Sequence, residues 1–108
     1  MYRDPEIGSK LAVAHADLLS AMSNAKRLMI LNLLMEREIA VSELSDFVGL
    51  SQSALSQHLA VLRAHKLVKA RREHQKIFYS TASKNVGAIL SVLRDIFDGA
   101  DAESQTQA

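Results

Sequence analysis

The glycine at position 49 falls between two short stretches of helical periodicity, and this break constrains the fold more than any other feature of the 108-residue chain. Val41, Leu44, Phe47 and Val48 recur at three- and four-residue steps and read as the inward face of a helix over Val41–Val48. Gly49 ends it, because glycine takes the left-handed C′ conformation without a Cβ clash. Ser51 caps the next helix, about Ser51–Ala64, with Leu50 and Leu55 at the N′ and N4 positions of a hydrophobic staple. Two helices joined by so tight a glycine turn form a helix-turn-helix.

The flanking segments supply the rest of a domain. Ile7, Leu11, Ala14, Leu18 and Met22 form one stripe of a helix over Glu6–Met22. Asn24 then offers an N-cap for a helix over Ala25–Arg37, apolar almost all round from Leu28 to Met35 and therefore central. After His65 the periodicity changes. Leu67–Arg72 and Lys76–Ser80 read as two strands, with Ile77, Phe78 and Tyr79 giving β propensity and Glu73, His74 and Gln75 making the turn. Ser83 caps a last helix, Lys84–Phe97, whose stripe is Val86, Ile89, Leu90, Leu93 and Ile96. The order α-α-α-α-β-β-α is mainly α, and a β-hairpin just after a helix-turn-helix is a wing. One winged helix-turn-helix domain is expected over 1–98, followed by a small, polar, acidic and disordered tail over 99–108.

Hydrophobic residues make up 48% of the chain, enough for a core. A domain this small still buries a modest fraction of its surface, which leaves room for a dimer interface to bury more. There is no Cys, so disulfides, thiolate metal ligands and thiol redox sensing are excluded. Arg3, Asp4 and Pro5 open a segment with no apolar core, so no secretory signal is expected and a cytoplasmic location is. Leu28–Met35 is interrupted by Asn32 and is too short to span a bilayer, so no membrane association is expected. The net charge is only +1, but it is unevenly spread. Arg63, Lys66, Lys69, Arg71, Arg72 and Lys76 face a single acid, Glu73, between Ser51 and Ser80, whereas Asp95, Asp98, Asp101 and Glu103 follow without a cation.

The helix after Ser51 carries the functional reading. Leu55, Leu59 and Leu62 fall on one side, and Ser53, Ser56, Gln57 and Ala60 on the other. A solvated helix face ordinarily carries Glu and Lys, which form helices better than Ser. A face of Ser, Gln and Ala is thin enough to enter a major groove, where Gln pairs bidentately with adenine and Ser contacts several bases. Alone, this pattern is matched by that of a merely tolerated polar surface; the turn, wing and cations break the tie. Ser51, Gln52, Ser53, Ser56, Gln57, His58, Arg63, Arg71, Arg72, His74, Gln75 and Lys76 are the expected contacts to double-stranded DNA. Lys26, Arg27, Lys66 and Lys69 read as ordinary solvated charges.

The run LSQSALSQHLAVLR from Leu50 to Arg63 and the hairpin RREHQKIFYS resemble the ArsR/SmtB family of small bacterial repressors, and within it the HlyU/NolR/BigR-like branch. The likeness covers about Leu18–Phe97. It implies a winged-helix homodimer reading an inverted repeat with half-sites about 10 bp apart. The first and last helices would form the interface, placing Leu11, His15, Leu18, Leu19, Ile89, Leu90, Leu93, Ile96 and Phe97 there. The family's metal sensors carry Cys, or paired His and Asp, on the helix matching Val41–Val48 and on the last helix. This chain has Ser42, Glu43, Leu44, Ser45 and Asp46 at the first and no His on the second. The branch's thiol positions align with Asn32 and Asp98, so neither inducer chemistry is expected and any small-molecule effector is left open. The family's glycines after the recognition helix and at the wing tip appear as Lys66 and His74.

Other chemistry is thin. His58 and His65 are about 10 Å apart along one helix, too far for one ion, and His15 and His74 have no spaced partners. Ser56 and His58 point about 160° apart, which precludes a nucleophile–base bond. Glu43 and Asp46 read as an exposed acidic face. No catalytic site, metal or cofactor is expected. A sequence-specific regulator, acting as a repressor, leads; a protein-interaction module that keeps the fold is the alternative, and a metalloenzyme a distant third.

Overall fold

The computed structural model describes residues 2–107, with their side chains through 98. The elements are α1 (Pro5–Met22), α2 (Ala25–Glu36), β1 (Ile39–Ala40), α3 (Val41–Val48), α4 (Gln52–Ala64), β2 (Val68–Glu73), β3 (Lys76–Thr81) and α5 (Lys84–Gln107). Each of the expected helices and strands is present, within a residue or so at most ends. The strand β1 was not expected. It pairs antiparallel with β3, Ile39 opposite Tyr79 and Ala40 opposite Phe78, giving the sheet order β1-β3-β2. Two residues carry no period-2 signal, and β1 exists only because β3 offers it an edge.

Local chemistry starts most of these helices. Asp4 accepts from the N–H groups of Glu6 and Ile7, with Pro5 in the first turn of α1. Asn24 accepts from Lys26 and Arg27 at the start of α2, and Ser51 from Ala54 at the start of α4. The Ser83 hydroxyl accepts from Asn85 N–H at the start of α5. Helix α3 differs: Ala40 is its N-cap and supplies no side-chain bond. Gly49 closes α3 at φ 67°, as its lack of Cβ allows.

The core is built from Ile30, Leu31 and Leu34 of α2, Leu44 and Val48 of α3, Leu55, Leu59 and Leu62 of α4, and Leu67, Val68 and Ile39 beside the sheet. Val86 and Leu90 of α5 close it. Leu90, expected at an interface between chains, thus belongs to the chain's own core. Phe47, expected inward, is 49% exposed: it borders an open recess with Met29 and Leu33 of α2, and the Arg37 guanidinium lies 5.9 Å from its ring centre. Helix α5 continues to Gln107 instead of ending at Phe97, since the lone Gly99 does not break a run otherwise compatible with helix. The side chains of 99–107, on which the expected tail falls, lie outside the described ones.

Helices α1 and α5 reach out from this body: α1 touches it mainly through α4, and α5 through α2. The radius of gyration, 16.6 Å, exceeds the roughly 13 Å of a compact domain this long. Ile7, Val13 and Leu19 on α1 and Val92, Leu93, Ile96 and Phe97 on α5 are left exposed.

The wing hairpin pairs Val68 with Thr81 through Glu73 with Lys76, leaving His74 and Gln75 as its two-residue turn. His74 has φ 58° and Lys66, just after α4, φ 60°. Both are left-handed positions where a Cβ is disfavoured. Lys66→Gly and His74→Gly are therefore each expected to raise the unfolding free energy by up to about 1 kcal/mol, measured as a higher urea midpoint at unchanged m-value; Gly49→Ala should lower it by a similar amount.

Candidate nucleic-acid interface

The orientation of α4 follows from what its other side buries. Leu55, Leu59 and Leu62 are at most 2% exposed, so Gln52, Ser53, Ser56, Gln57 and Ala60 are turned to solvent. The turn before it is rigidly bonded. The Leu50 N–H donates to Ser45 O at 3.2 Å, and the buried Ser45 hydroxyl donates back to Leu50 O. Lys26, read from sequence as a solvated charge, instead donates from Nζ to Val48 O at 2.5 Å, capping the last turn of α3.

The wing comes close to the start of α4. Gln52, Gln75 and Lys76 line one cleft together with Ala40, Val41, Ser42 and Ile77. Ser56 and Arg63 share a second, shallower recess with Ala60, Ala64 and Tyr79. The fold thus gathers expected contacts from α4 and the wing onto one side, although they lie up to 25 positions apart (Ser51 to Lys76). Ser42, not among the expected DNA contacts, joins the first cleft because β1 delivers the start of α3 there. Ser51 is exposed but its hydroxyl is spent on the cap.

The cations divide into engaged and unengaged. Arg71 lies with its guanidinium 4.8 Å from the Phe78 ring centre. Its Nη2 donates to Glu38 Oε1 at 2.6 Å, its Nε to Glu38 Oε2 at 3.1 Å, and its Nη1 to Glu73 Oε2 at 2.9 Å. Arg71 therefore fastens β2 to the residue before β1, across β3. Among the described residues Arg63, Arg72 and Lys76 form no ion pair, and all three are exposed. His58 is half-buried, and its Nδ1 accepts from Arg27 Nε. Arg27 was read as a solvated charge; its partner lies 31 positions on, beyond the reach of any local pattern. His74 is exposed at the wing tip, and the His65 ring meets Val61 O within its own helix.

Of the expected interface set, Leu11, Leu18 and Ile89 are half-buried, and His15, Leu19, Leu93, Ile96 and Phe97 are exposed. Asn32 and Asp98 line one recess between α2 and α5. Among the described residues no three His, Asp or Glu gather as a metal site would need, and no helix is long and apolar enough to cross a membrane.

A three-stranded sheet whose hairpin stands beside a polar, outward-facing fourth helix defines a winged helix-turn-helix of the DNA-binding, transcription-regulating class. Residues 24–70 match the pattern described as "Bacterial regulatory protein, arsR family". The chain is 56% identical over 88 residues to the nodulation protein NolR of Rhizobium meliloti, covering 81% of this chain and 72% of that one. It is 49% identical over 80 residues to the transcriptional activator HlyU of Vibrio cholerae, 74% of each. The crystal structure of NolR from Sinorhizobium fredii superposes with a TM-score of 0.80 at 51% identity, over 87% of this chain and 93% of that one. The homodimeric winged helix-turn-helix DNA-binding domain Mb0332 of Mycobacterium bovis gives 0.77 at 28%, over 91% of each. The chain belongs to the ArsR family of DNA-binding transcriptional regulators, and it is not an enzyme.

The Arg71 fork holds the Glu38 carboxyl below the ordinary carboxylate range, chiefly through its hydrogen bonds. A folded-state depression of this kind contributes stability above the unfolded carboxylate value, about pH 4.3, and loses it as pH falls through the lower folded value. Both side chains are partly exposed, so the contribution is small. Glu38→Gln should lower the thermal midpoint at about pH 7, and the difference should shrink as pH falls below about 4.3, measured by circular dichroism.

Proposed function

We propose that two copies of this chain pair through α1 and α5 and bind an inverted-repeat operator, blocking transcription from the promoter it overlaps. The observation that carries the reading is the α4 face of Ser53, Ser56 and Gln57: exposed, uncharged, and flanked by Arg63 on the helix and by Arg72 and Lys76 on the wing. Such a face meets base edges, while the cations outside it meet phosphates. Gln57 is the leading base reader, with Ser53 and Ser56 beside it. Gln52, Gln75, His74 and Lys76 approach the backbone or the adjoining minor groove. Arg71, already bonded to two carboxylates, supports the wing and contributes to DNA binding indirectly.

Pairing is supported by the apolar side chains that α1 and α5 leave in water, too many on two elements for an isolated domain of this size. A relative of the same fold is described as homodimeric. A symmetric pair presents two α4 helices about one helical turn of DNA apart. Repression by occlusion needs no further contact. The relative named a transcriptional activator uses the same fold, so the sign of regulation follows from where the operator lies. With no Cys in the sequence, and Asn32 and Asp98 at the branch's thiol positions, the regulator acts without thiol or metal sensing, in the cytoplasm.

Selection of duplexes from a random-sequence pool tests this: enrichment of a palindromic motif is expected, and equal weak affinity for every sequence would reject it. On the selected duplex, Gln57→Ala should lose roughly ten-fold in preference over a scrambled one, within the 1–3 kcal/mol of a bidentate base contact. Arg72→Ala should weaken both duplexes alike and reduce the salt slope by about 1. Ile96→Asp combined with Phe97→Asp should shift the dimer to monomer in sedimentation and abolish selective binding, because two carboxylates cannot be buried unpaired.

A further inference from the structure

Arg27 sits in the first turn of α2, where a long cation would ordinarily extend into solvent. Its Nη1 instead donates to the carbonyls of Ser20 at 3.4 Å and Ala21 at 3.2 Å, in the last turn of α1. That turn has carbonyls without helical partners and no basic residue of its own, so the guanidinium satisfies both its hydrogen-bonding and its dipole. From the same side chain, Nε donates at 3.2 Å to Nδ1 of His58 on α4. A single group joins the proposed dimer helix, the central helix and the recognition helix.

The bond fixes the orientation of the ring. The guanidinium Nε only donates, so Nδ1 must offer its lone pair and the ring N–H is Nε2. On α1 the guanidinium meets the Ser20 and Ala21 carbonyls. On α4 the residues one turn away, Ala54, Leu55, Val61 and Leu62, are uncharged. From α3 and β2 no described side chain bonds to either partner, and among the described residues neither is in an ion pair.

We infer that Arg27 and His58 form a positioning strut that sets α4 against α1, so that selective DNA reading depends on the bond between them. This rests on α4 being the DNA-reading helix, as proposed above. Removing the Arg27 charge would weaken binding to every duplex alike; the ratio of affinities, not the affinity, is therefore the informative quantity.

The experiment measures anisotropy at fixed salt and fixed pH. The probes are the duplex that the unsubstituted protein selects from a random pool and its scrambled counterpart. In Arg27→Ala the selectivity ratio should fall roughly ten-fold, as expected for a lost hydrogen bond to a charged group, with the dimer intact in sedimentation. His58→Asn, whose Oδ1 can stand where Nδ1 stood, should recover most of what His58→Leu loses. An unchanged ratio in Arg27→Ala, or His58→Asn behaving like His58→Leu, overturns the strut. Nitrogen-15 shifts of the His58 ring in the DNA-free protein give an independent reading. An unprotonated Nδ1 that moves toward a tautomer mixture in Arg27→Ala supports the strut, and unchanged shifts overturn it. Failure to select any duplex sinks the DNA-reading assignment, while the ring shifts still decide on the strut.

Discussion

The angle between α3 and α4 governs the rest of the molecule, and burial of leucine sets it. Leu44 and Val48 from one helix meet Leu55, Leu59 and Leu62 from the other with almost no exposure. Each such side chain is worth about 1.5–3 kcal/mol removed from water, whereas each hydrogen bond of the turn adds about 1 kcal/mol. Packing therefore supplies the stability of the pair. The bonds between Ser45 and Leu50, the left-handed Gly49 and the Ser51 cap supply its direction. Once the leucine side of α4 faces inward, the thin polar side has one way to point.

Much of this was legible in sequence because it is local. Caps at Asn24, Ser51 and Ser83, the glycine stop and the leucine spacing of α4 are set by residues within a turn of each other, and the structure places them as read. Left-handed backbone at Lys66 and His74 follows from where glycine would ordinarily stand. What escaped notice is non-local. The strand β1 is defined by its partner β3; Arg27 meets His58 across 31 positions, and Arg71 meets Glu38 across 33. Two apolar residues also lie elsewhere than expected, one from periodicity and one from the family resemblance. Phe47 shares the spacing of a buried stripe yet lies outside, and Leu90 shares the stripe of an interface yet lies within the core. Spacing tells which residues share a helix side, but only packing tells what that side meets.

The basic residues illustrate how little a net count conveys. Lys26 caps α3, Arg27 spans three helices, and Arg71 is held by two carboxylates and an aromatic ring. Each satisfies backbone or acidic groups that burial or strand pairing would otherwise leave poorly matched. Arg63, Arg72 and Lys76 keep their charge for solvent or a polyanion. Basic residues that look alike in sequence thus divide into fasteners and unengaged charges, and only the second kind is open to salt-sensitive attraction.

The aliphatic and aromatic side chains that α1 and α5 leave in water would, in the proposed pair, tie the stability of the chain to its abundance. Unpaired, those side chains keep their contact with water, and mass action sets how often they are covered. Dilution would then loosen both helices together, and resistance to unfolding would grow as copies accumulate.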